Sequence, residues 1–87
     1  MNALLNKAAE LNGMAAEFGI ETKIEVHGDH LVYVRFGRTG ITSQIIHTAT
    51  GKASVKTWEH RGRRNDAISL KALPENLAWF ARHRKTA

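Results

Sequence analysis

Between Thr22 and His60 the chain alternates apolar and polar residues with a period of two: Ile24 and Val26, then Val32, Val34 and Phe36, then Ile41 and Ile45. Residues two apart in an extended chain share one side of a pleated strand, so each set marks a face that wants a partner layer. The residues between them, Lys23, Glu25, Tyr33, Arg35, Thr42 and Gln44, are mostly polar. The opposite face is therefore expected to meet water or a ligand rather than a second sheet. Gly28-Asp29, Gly37-Arg38-Thr39-Gly40 and Thr50-Gly51 interrupt the pattern where tight turns need a positive φ or an Asx-type side-chain bond. Four antiparallel strands in a meander are predicted.

The first hairpin has two possible registers. A two-residue Gly28-Asp29 loop pairs Val26 with Leu31, whereas a three-residue loop pairs Val26 with Val32. The second is favoured because it collects Ile24, Val26, Val32, Val34 and Phe36 on one face, and a slip by one residue would turn one strand's apolar set outward. It also sets Lys23 opposite Arg35, a mildly unfavourable pair of like charges.

Helical periodicity flanks the strands. Leu4, Ala8, Leu11, Ala15 and Phe18 recur at spacings of four and three, with Asn2 as the expected N-cap, Gly19 as the left-handed terminator and Ile20 as its apolar companion. Near the other end, Pro74 suits the first helical position and Glu75 the positive end of the dipole. Leu73, Leu77, Phe80 and Ala81 form the apolar stripe of a helix running to about Arg84. The intervening Arg61-Gly62-Arg63-Arg64-Asn65-Asp66 is expected as an exposed loop. Residues 67–73 fit either a short edge strand or a helical turn, and an extended connection is expected there.

These elements predict one α+β domain over residues 1–87: a four-stranded antiparallel meander with an N-terminal and a C-terminal helix packed on one face (α-β-β-β-β-α), a two-layer sandwich. The order helix, strands, helix is similar to that of double-stranded RNA-binding domains. The likeness is confined to element order. The lysine-rich start of their second helix has no counterpart here, where the chain reads Pro74-Glu75-Asn76-Leu77, and a further strand is present.

Composition narrows the chemistry. The 87 residues include no cysteine, which excludes disulfides and thiolate metal sites. No apolar run reaches the roughly 18 residues of a membrane span, and no charged-then-apolar secretory signal opens the chain, so a cytoplasmic setting is expected. The net charge of +5 is unevenly spread: residues 1–59 carry six Lys and Arg against six Asp and Glu, whereas residues 60–87 carry seven against two. That excess points to an acidic partner.

Arg61, Arg63 and Arg64, with Arg82, Arg84 and Lys85, are the candidate phosphate-gripping cations, and Tyr33, Arg35 and Trp58 the candidate stacking partners, of which Tyr33 and Arg35 are expected on the uncovered face. Trp58 lies three residues from Val55, so in a regular strand the two face opposite ways. Trp58 and Trp79 also suit the edge of the core. His27, Asp29 and His30 surround the first turn, with His47 and His60 on later strands, but no ligand spacing recurs and ordinary turn chemistry is expected, with no metal and no cofactor. Ser43, Ser54 and Ser69 sit in no nucleophile elbow, phosphate loop or paired-carboxylate arrangement, so catalysis is not expected.

The leading expectation is a small basic binding module, not an enzyme, that contacts nucleic acid or a nucleoprotein through the late cations. The alternative is an adaptor or inhibitor of the kind mobile genetic elements encode, docking on an acidic surface of a larger host protein. A homodimer through the open sheet face or an edge strand is the third.

Overall fold

The computed structural model describes residues 2–84. Its elements in chain order are α1 (Asn2–Glu17), β1 (Thr22–His27), β2 (Leu31–Phe36), β3 (Ile41–His47), β4 (Ala53–Arg61), β5 (Arg64–Ile68) and α2 (Leu73–Arg84). The strands form one antiparallel sheet in the order β1-β2-β3-β4-β5. The four-stranded expectation is thus corrected to five.

The added strand comes from the segment expected to be a loop. Arg61 pairs with Arg64 across a two-residue Gly62-Arg63 turn, and pairing continues to Thr57↔Ile68. Gly62 has φ of 60°, and a positive φ at the first of two loop residues is the hairpin turn that matches strand twist and favours glycine at that place. A run of charge argues against a core position. It does not argue against an edge strand, whose backbone pairs on one side while its side chains stay wet.

The first hairpin takes the three-residue loop, with Val26↔Val32, Ile24↔Val34 and the like-charged Lys23↔Arg35 pair all in place. Pairing from Ile41↔Glu59 to His47↔Ala53 has no bulge, so Val55 and Trp58 do face opposite ways. One side of the sheet carries Val32, Val34, Phe36, Ile41 and Ile45, which join Leu4, Ala8, Leu11 and Ala15 of α1 and Leu73 and Leu77 of α2 in a single buried cluster. The helices therefore share that side.

α1 ends as its sequence requires: Ile20 N–H donates to Ala15 O and Gly19 N–H to Ala16 O, both at 3.0 Å. This is the paired-bond helix terminus, with Ile20 buried beside it. Asn2, expected to cap α1, is its first residue. Residues 69–72 turn tightly into α2 instead of running extended: Ala72 N–H and Leu73 N–H both donate to Ser69 O, and Pro74 is the second helical residue.

Coverage of the sheet is uneven. α1 packs chiefly on β2 and β3. α2 lies beside β4 and β5, with which it lines shared grooves. At the β1 margin, Ile24 and Val26 point to the helix side yet remain 41% and 51% exposed. Among the described residues no helix is long and apolar enough to cross a membrane.

Candidate functional site

Strand register sorts the candidate residues between two sides. On the side away from the helices one row runs Lys23–Arg35–Thr42–Trp58–Ala67, and the next runs Glu25–Tyr33–Gln44–Lys56. Tyr33, Arg35 and Trp58 thus share the open face. With strands about 4.8 Å apart and a two-residue rise of about 6.8 Å, Tyr33 and Trp58 stand on the order of 12 Å apart, suited to two separate flat groups.

The late arginines do not join them. Arg61 and Arg64 lie on the helix side, two residues from Glu59 and Asp66 on the same strands, and pair with them: Arg61 Nε donates to Glu59 Oε1 at 2.7 Å, and Arg64 Nη2 lies 3.8 Å from Asp66 Oδ2. Glu59 is buried, so Arg61 serves first to neutralise it. Arg82 lines a helix-side groove of about 560 Å³ with Glu59, Arg61, Glu75, Asn76 and Trp79, where two acids balance two arginines. Arg63 is exposed at the tip of the β4–β5 turn. In a meander that turn lies at the same end of the sheet as the β2–β3 turn, which carries the exposed Arg38. Lys85 and the side chain of Arg84 lie outside the described residues.

The open face carries its own chemistry. A shallow notch of about 350 Å³ is lined by Gln44, Lys56, Thr57, Trp58, Asn65 and Ala67. Trp58 supplies a half-buried aromatic wall, Gln44 and Asn65 supply amides, and Lys56 an ammonium group that no carboxylate among the described residues pairs. Asn65 is oriented by His60, whose Nδ1 lies 2.8 Å from its Oδ1. Lys56, Gln44 and Asn65 were missed as site residues from sequence. Counting back two from Trp58 would have given Lys56, and the turn at Gly62 would have brought Asn65 over.

Beside the notch, Glu25 gathers two cations and an imidazole: Arg35 at 3.4 Å, Lys23 at 3.7 Å and His27 at 3.6 Å. Partial desolvation pushes the Glu25 carboxyl up, but Arg35, a hydrogen bond from His27 and Lys23 outweigh it and hold it below the usual carboxylate range. His27 also meets Tyr33 edge to face, with centroids 5.2 Å apart. Trp79, in contrast, lies on α2, 49% exposed and stacked on His83 at 4.0 Å.

Among the described residues no three His, Asp or Glu side chains stand close enough to hold a metal ion. Comparison with known protein families, curated proteins and solved structures finds no match for this chain.

Proposed function

We propose that the protein is a non-enzymatic, cytoplasmic binding module that takes single-stranded nucleic acid on the open face of its sheet. The observation that carries this reading is the meeting of an aromatic wall, two amides and an unneutralised cation in the notch at Trp58. Trp58 and Tyr33 offer stacking surfaces, Gln44 and Asn65 offer donors and acceptors for base edges, and Arg35 and Lys56 offer phosphate contacts. Arg38 and Arg63 extend the positive rim at one end. The expected anchor therefore moves from the late arginines to the sheet, since Arg61 and Arg64 lie on the helix side, away from Trp58 and Tyr33.

The test is fluorescence titration with short oligonucleotides in a Trp79→Phe background, which leaves Trp58 as the reporter. Single-stranded oligomers should quench it, and two phosphate contacts should give a log–log salt slope of about −1.4 at ~0.7 per contact. Trp58→Ala, followed by the anisotropy of a labelled oligonucleotide because it removes the reporter, should weaken binding by about 1–3 kcal/mol, whereas a joint Arg64→Ala and Arg82→Ala variant, which leaves the Arg61–Glu59 pair intact, should bind nearly as well as its parent. Binding lost in the arginine variant and kept in Trp58→Ala would place the contact on the helix side.

Docking on another protein is the second reading, favoured by the exposed Trp79 on α2 and the exposed Leu70 in the turn before it. It predicts a co-purifying partner that survives nuclease treatment and is released by Trp79→Ala.

A further inference from the structure

We infer that β1 is a self-association edge, and that it pairs antiparallel with β1 of a second copy about a two-fold axis through Ile24. The sheet has two edges, β1 and β5. They differ in protection. On its helix side β5 presents Arg64 and Asp66, charges that would be desolvated if another strand were added. β1 has no proline and no bulge in its pairing with β2, and its helix side presents Ile24 and Val26, both largely exposed.

α1 extends this apolar margin. Asn12 accepts a hydrogen bond from Thr22 Oγ1 of β1, so the helix face that includes Asn12 looks towards β1. Leu5, two turns earlier on the same face, is 41% exposed. Leu5, Ile24 and Val26 make a strip with no cover in one copy.

Charge selects a second copy as the occupant. With Ile24 facing its own counterpart, Lys23 stands opposite Glu25 of the other chain and Glu25 opposite its Lys23, while Glu21 stands opposite His27. The Lys23–Glu25 pair on the open face then joins opposite charges, and it occurs twice. Centring the axis on Lys23 or on Glu25 instead opposes like charges. The arrangement also relieves Lys23, which within one chain faces Arg35. On the helix side it joins Ile24 to Ile24 and Val26 to Thr22.

Sedimentation of the wild-type chain across a concentration series, with four variants, tests this. The wild type should reach twice its 9.7 kDa mass. Ile24→Arg should sediment as a monomer with an unchanged far-ultraviolet dichroism spectrum, because the side chain is already exposed and the fold does not depend on it. Lys23→Glu or Glu25→Lys alone should raise the dimer dissociation constant at least about tenfold, since each reversal makes two repulsive pairs. The double reversal Lys23→Glu, Glu25→Lys should restore it. A wild type that stays monomeric, a dimer that survives Ile24→Arg, or a double reversal no better than the singles would overturn the inference.

Discussion

Ser43 and Thr57 show how a polar residue earns a place on an apolar face. They are cross-strand partners, both are buried, and their hydroxyls lie 2.6 Å apart between Val34 and Ile68 in the same row. Neither hydroxyl has water to fall back on. Ser43→Ala should therefore destabilise the fold by about 1–3 kcal/mol by stranding Thr57, while adding Thr57→Val should recover most of that loss; urea midpoints of the three proteins measure it. Glu25 is the matching case on the wet face. Its carboxyl is held below the usual range, so its ion pairs stabilise the fold above the ordinary glutamate range, and that contribution fades as pH falls through the lower folded value. The difference in stability between wild type and Glu25→Gln should accordingly be present at neutral pH and vanish in acid, with the carbon resonance of the Glu25 carboxyl titrating below the ordinary glutamate range.

At the scale of elements, periodicity read well wherever an element buries a stripe. Leu4, Ala8, Leu11 and Ala15 are all buried in α1, the Val26↔Val32 register is present, and Leu73 and Leu77 anchor α2. Most of β5 reads as loop, with Ile68 alone suiting a short edge strand, because it buries almost nothing: its identity rests on backbone pairing and on one turn residue, and hydropathy carries neither. Gly62 is the residue on which it depends. Gly62→Val forces a β-branched side chain into positive φ and should cost about 1–3 kcal/mol, with amide exchange rising first at Asp66 to Ile68. The candidate site divided for a related reason. Neighbours in sequence such as Arg61, Arg63 and Arg64 look like one patch, yet a strand and a two-residue turn place them on one face and at a tip, and Arg61 finds Glu59 on the way. Tyr33 and Arg35, read from alternation alone, share a face, and the bulge-free register of β4 adds Trp58 to it.

For the molecule as a whole, one helical layer and one bare sheet face divide the labour. The covered side holds the buried cluster and spends its charges on internal pairs, Arg61 with Glu59 and Arg64 with Asp66. The bare side keeps Lys56 and Trp58 accessible. The strictly consecutive strand order has a further consequence for how the chain is made. Each strand emerging from the ribosome finds its partner already synthesised, with α1 waiting to pad the first three, so loop closures are short and early collapse is orderly. Only the flank that receives Leu73 and Leu77 stays bare until translation has passed α2, which makes that helix the closing latch of the nascent protein.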